Sequence, residues 1–169
     1  LIVGALFILI GFIYQRRGTW QTGEMRGLQK AAPVLAGVFT VVMMASIGVP
    51  GLNGFVSEFL VLSGTFITHR WWAVVAVLGV IVAAIYLLWA YQQVFHGPPR
   101  EADEKTRDLA LLERAVMAPL IILIVFLGIY PKPVLDRINP SVNQLIAHVE
   151  STTGHSQPPV AVKGVEGVK

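Results

Sequence analysis

Residues 31–66 form an apolar run of 36 residues with one formal charge, Glu58. As a single straight helix this run would extend about 54 Å, against a bilayer core of about 30 Å. It must be broken, steeply tilted or extended into water, and Ile47-Gly48-Val49-Pro50-Gly51-Leu52-Asn53-Gly54 points to a break. Proline lacks an N–H and collides with the carbonyl four residues back. Glycine admits backbone conformations closed to other residues. The pattern predicts two half-helices, over 32–47 and 54–67, on either side of an unwound turn.

The rest of the chain fits a membrane setting. Of all residues 54% are hydrophobic and 14% charged, where soluble domains carry about 25% charge. The chain opens inside an apolar run, Leu1 to Tyr14, too short to span alone and without a basic region before it. It is therefore expected to be the C-terminal part of a longer protein rather than to begin with a signal peptide. A polar link, 15–27, precedes the broken run. Thr68-His69-Arg70 leads to Trp71–Phe95, 25 residues without formal charge, with Trp71 and Trp72 suited to the headgroup level. His96-Gly97-Pro98-Pro99 stops that run, and the densely charged loop 100–107 is expected to be solvated. The fourth run, Leu109 to Tyr130, ends at Pro131-Lys132-Pro133.

The expected fold is all-α, a polytopic membrane bundle with about four membrane segments, one of them discontinuous. Its boundaries are a bundle over 1–135, an amphipathic surface helix over 136–150 and a disordered tail over 151–169. The surface helix rests on Val142, Leu145, Ile146 and Val149, which recur at helical spacing on one face. Eight of the 13 Lys and Arg residues lie in or beside the two long links, 15–30 and 97–114. The positive-inside rule places those links in the cytoplasm and the C-terminus outside.

Several function classes are excluded by composition. The chain has no cysteine, hence no disulfide, thiolate zinc site or cysteine-ligated iron–sulfur cluster within it. His69, His96, His148 and His155 lack ligand spacing, so no metal is expected. The basic residues flank apolar runs rather than forming a stripe with aromatics, which argues against nucleic acid. No nucleophile–base pair, phosphate loop or dinucleotide fingerprint is present.

Glu58 is the strongest candidate for chemistry. An ionisable side chain at membrane depth points to an ion or proton path, and a helix interrupted there points the same way. The bland alternative is a carboxylate that only ties helices together, but no basic residue lies near it in this run. The expected position, in the first turn of the second half-helix, sets the favourable helix dipole against the unfavourable low dielectric. Gly48, Pro50, Gly51, Asn53 and Gly54 are expected to line the path at the break. Ser46, Ser57 and Tyr86 could extend it, whereas Tyr91, Gln92 and Gln93 read as interfacial anchors.

Three stretches carry a family resemblance: Gly4-Ala5-Leu6-Phe7 with Tyr14-Gln15-Arg16-Arg17, the run Ala45 to Phe59, and Gly128 to Leu135. In this order they resemble the C-terminal third of the subunit M family of bacterial NADH–quinone oxidoreductase, respiratory complex I. The resemblance covers residues 1–150. It implies an antiporter-like subunit built on inverted repeats with discontinuous helices, in the bacterial inner membrane, which moves protons as part of a redox-driven assembly. By motif, Glu58 is the charged residue of the broken helix, where related antiporter subunits often carry lysine. NADH, FMN, iron–sulfur clusters and quinone would belong to partner subunits, with no redox site in this chain. Neighbouring antiporter-like subunits and the bilayer are the implied partners, and the tail helix would pack along the next subunit. Ser57 departs from the glycine more common there, and the family's lysine-bearing first half lies outside this sequence. A multisubunit cation/proton antiporter, a membrane-bound hydrogenase and a structural membrane anchor are the alternatives.

Overall fold

The computed structural model describes residues 1–153, and every regular element among them is helical. In chain order these are α1 (Ile2–Arg17), a 3₁₀ turn (Thr22–Glu24), α2 (Leu28–Ala31), α3 (Pro33–Ile47), α4 (Asn53–Thr68), α5 (Arg70–Phe95), α6 (Glu101–Glu104), α7 (Leu111–Ile129) and α8 (Lys132–Thr153). Helices α5 and α7, of 26 and 19 residues, are long and apolar enough to cross a membrane, and α3 is a shorter apolar helix.

The chain divides into two units, Leu1–Pro131 and the part from Lys132 onward. In the first, α1 contributes Ala5, Leu9 and Ile13, one stripe at four-residue spacing, to the core. They cluster with Leu35, Ala36, Val42 and Ala45 of α3, Phe95 of α5, and Met117 and Ile124 of α7. Helix α5 gives this core little, since most of its large apolar side chains, from Trp71 to Trp89, are exposed. A helix apolar on every face suits lipid or a neighbouring protein rather than water.

One end of this unit is polar and tightly tied. Helix α1 ends at Gly18, in the left-handed region at φ 67°, where its N–H reaches the Tyr14 carbonyl at 2.7 Å. The loops on either side of α2 and α6 then meet: the Gly27 N–H donates to the His96 carbonyl at 3.2 Å. The 100–107 loop is not the wholly solvated segment expected. Asp103 is fully buried, 2.7 Å from Arg17 Nε and accepting the Arg26 N–H at 3.1 Å. A buried carboxylate needs such partners, and they come from α1 and the 18–27 loop, which a reading confined to the loop does not see.

Helix α3 starts with Pro33, which leaves its first free amides at Val34 and Leu35. Both donate to the Asp108 carboxylate at 2.9 Å, and Leu109 N–H adds a third bond at 2.7 Å. Asp108 thus caps a helix remote in sequence, satisfying amides that the helix cannot pair itself. Burial alone would raise its carboxyl. The three N–H donors and Arg114 outweigh that and hold it below the ordinary value of 3.8. Beside it, Arg16 of α1 pairs with Glu113 of α7, and Glu113 also accepts the Ala110 N–H at 2.7 Å.

Helix α8, taken by itself, starts earlier than the expected 136. Pro131-Lys132-Pro133 not only ends the fourth run but also opens the next helix: α8 begins at Lys132 and carries Pro133 in its first turn. There a missing N–H costs nothing and the fixed φ suits a helix. Val134, Ile138, Val142, Leu145, Ile146 and Val149 share one face of it. Residues 151–153, expected in the tail, are its last turn; the rest of that expected disordered tail, 154–169, lies outside the described residues.

Candidate functional site

The break between α3 and α4 is an ordered structure built from three local devices. Gly48 takes φ 82° and ψ 36°, and its N–H returns to the Ala45 carbonyl at 3.3 Å while Val49 N–H reaches Met44 at 3.1 Å. This pair of bonds is a Schellman cap, which asks for glycine at the left-handed position. Val49-Pro50-Gly51-Leu52 then forms a β-turn closed by the Leu52 N–H on the Val49 carbonyl at 3.2 Å. Proline at its second position and Gly51 at φ 93° are the residues of a type II turn. Phe55 N–H on the Leu52 carbonyl, at 3.1 Å, opens α4. The carbonyls of Met44, Ala45, Val49 and Leu52 are therefore captured by main-chain amides within the break.

Close backbone packing fixes the position of the turn. A methyl group on Gly54 would overlap the Ala45 carbonyl, so the first turn of α4 lies directly on the last turn of α3. A methyl group on Gly128 of α7 would overlap Gly51 and Leu52. Gly128 is thus the seat of the turn. The sequence reading placed it in a motif but gave it no role at the site.

Glu58 reaches back over this break. Its carboxylate occupies the space that a side chain on Gly48 would need. It stands in the second turn of α4, because the helix starts at Asn53, and it is half-buried within this chain. Among the described residues no hydrogen bond or ion pair reaches it. A carboxylate so placed can bind and release one proton.

The other expected residues fall into two groups. Gly48, Pro50, Gly51 and Gly54 form the break as described. Asn53 opens α4 with its side-chain oxygen buried and unpaired, and the Ser57 hydroxyl donates to the Gly54 carbonyl at 2.9 Å. Ser46 sits in the last turn of α3, half-buried. Tyr86 is exposed on α5. Tyr91, expected as an interfacial anchor, is instead packed inward: its hydroxyl meets Thr40 Oγ1 of α3 at 2.6 Å, and its ring stacks on Phe95 at 4.8 Å. Thr40 was not singled out, since a lone threonine in an apolar helix is an ordinary sight.

Residues 1–85 hold α1, the break, Glu58 and much of α5, and they match the family described as NADH:quinone oxidoreductase/Mrp antiporter, TM. The chain belongs to this family. It is therefore a membrane protein, and the match covers the whole of the Gly48–Glu58 arrangement. The chain is 46% identical over 94% of its length to NADH-quinone oxidoreductase subunit M of Mycobacterium tuberculosis. It is 40% identical over 90% to the subunit M of Rhodobacter capsulatus. It is also 39% identical over 82% to F(420)H(2) dehydrogenase subunit M of Methanosarcina mazei. The chain spans 28% to 30% of the length of these relatives.

Proposed function

We propose that this chain carries part of a proton path in a membrane subunit of a respiratory NADH–quinone oxidoreductase, with Glu58 as the group that exchanges the proton. The observation that carries the proposal is the unpaired Glu58 carboxylate resting on Gly48 at a helix break within the region matched by the family. The break is closed by main-chain hydrogen bonds and close backbone packing, which offers a defined geometry to a group whose charge changes. Asn53 supplies a buried oxygen at the same turn, and Ser46 and Ser57 supply hydroxyls on the flanking helices.

In this reading the membrane segments are α1, the discontinuous pair α3–α4, α5 and α7. The polar end holding Arg16, Arg17, Asp103 and Asp108 faces the cytoplasm of a bacterial cell. Helix α8 sets its apolar face against a neighbouring antiporter-like subunit. Redox cofactors and the quinone belong to other subunits, so the oxidoreductase activity is a property of the assembly.

A multisubunit cation/proton antiporter is the second reading, and the family description includes it. The relatives named as oxidoreductase or dehydrogenase subunits favour the first. Glu58→Gln in the full-length subunit tests the proposal. Loss of proton translocation by a fully assembled complex supports it, and unchanged translocation contradicts it.

A further inference from the structure

A polar cavity of about 440 Å³ opens at the end of α5, lined by Gly23, Arg26, Trp89, Gln92, His96 and Arg100 among others. Two arginines therefore line one pocket. Neither Arg26 nor Arg100 has a carboxylate partner among the described residues, where the ion pairs are Arg16–Glu113 and Arg17–Asp103. Asp103, beside this end of the molecule, is committed to Arg17 and to the Arg26 main-chain amide. The Arg26 guanidinium lies over Gly97, where a methyl group would come within 2.7 Å of Nε.

The cavity's level along α5 is equally informative. Its walls begin at Trp89 and pass the end of the membrane-length helix at Phe95 to reach His96 and Arg100. Trp89 is 64% exposed beside it, an indole placed as headgroup-level tryptophans are. Unpaired arginines that share a pocket with amide and imidazole donors, at the rim of a membrane helix, match a phosphate group in charge and hydrogen bonding.

We propose that this cavity is a binding site for a phosphate-bearing anion, supplied by the headgroup of an acidic phospholipid whose acyl chains lie along the exposed face of α5. The arginines pair with the phosphate, and the Gln92 amide and the His96 imidazole offer further donors. The proposal is independent of Glu58 and of the direction of proton movement.

The test uses the full-length subunit in its native assembly, reconstituted in nanodiscs containing phosphatidylglycerol with a photoactivatable group near the headgroup. Crosslinked peptides should map to residues 86–100. Arg26→Gln with Arg100→Gln should lower the yield by about tenfold, whereas Lys30→Gln, on the same end of the molecule, should leave it unchanged. The equivalent phosphatidylcholine probe should label weakly, and inorganic phosphate should not protect. Labelling that falls equally in Lys30→Gln would reduce the effect to surface charge and overturn a built site. Protection by inorganic phosphate would overturn the lipid as its source. Undiminished labelling in the double variant, or none at 86–100 in the unaltered assembly, would overturn the site itself.

Discussion

The Glu58 carboxylate lies against the α-carbon of Gly48, so that a methyl group at position 48 would overlap Oε2. The same glycine closes the end of α3 at φ 82°. One residue thus serves two demands: a left-handed backbone, and room for the acid side chain of the next helix.

Gly48→Ala should therefore be harmful twice over. The left-handed conformation costs about 1–2 kcal/mol for a residue with a Cβ, and the carboxylate must leave its place. Gly64→Ala, in α4 with nothing within 4 Å of the added methyl, should be tolerated. Thermal unfolding and proton translocation of the two assembled variants check this: the first should lose both, the second neither.

Gly128→Ala tests the seat of the turn. The added methyl meets the backbone of Gly51 and Leu52, which cannot rotate away as a side chain would. Overpacking of this kind costs about 1–3 kcal/mol. The variant should melt at lower temperature than Gly79→Ala, whose methyl enters open space.

Asp108 gives a dependence on pH. Its carboxyl is held below its ordinary value of 3.8. The ionised form is bound by the folded state, so its stabilisation is fully present above the unfolded value and declines as pH falls through the lower folded value. Asp108→Ala should lose about 0.5–2 kcal/mol of stability at neutral pH by uncapping α3, and the difference from the unaltered protein should shrink below pH 3.8. Melting temperature of the detergent-solubilised assembly against pH is the measurement.

The legible parts of the fold were those fixed by local chemistry. Gly48, Pro50 and Gly51 announce the end of α3 because a cap and a turn need those residue types at those places. The capping of α3 by Asp108 was illegible because donor and acceptor lie 74 residues apart. The inward packing of Tyr91 was illegible for another reason. Helix α5 is apolar on all sides, so hydropathy gives its length but not its rotation, and only the packing of Phe39 and Phe95 turns Tyr91 inward. Glu58 was legible from its charge at membrane depth beside a helix break, whereas its contact with Gly48 depends on how α4 folds back over the turn.

The topology can be checked by labelling. The loops at Gly27 and His96 are bonded to each other, so they lie on the same side of the membrane. Single cysteines at Thr22 and Ala102 should react with an impermeant maleimide only from the cytoplasmic face, and one at Thr68 only from outside. Reversed labelling would invert the assigned orientation.

The most direct test is the proton-to-electron ratio of the full-length assembly carrying Glu58→Gln, reconstituted in sealed vesicles. Glutamine keeps the shape of the side chain but cannot exchange a proton. The complex should assemble and its ratio should fall well below that of the unaltered complex, while Glu58→Asp should retain part of it. A Glu58→Gln complex that assembles and pumps at the unaltered ratio would contradict the account.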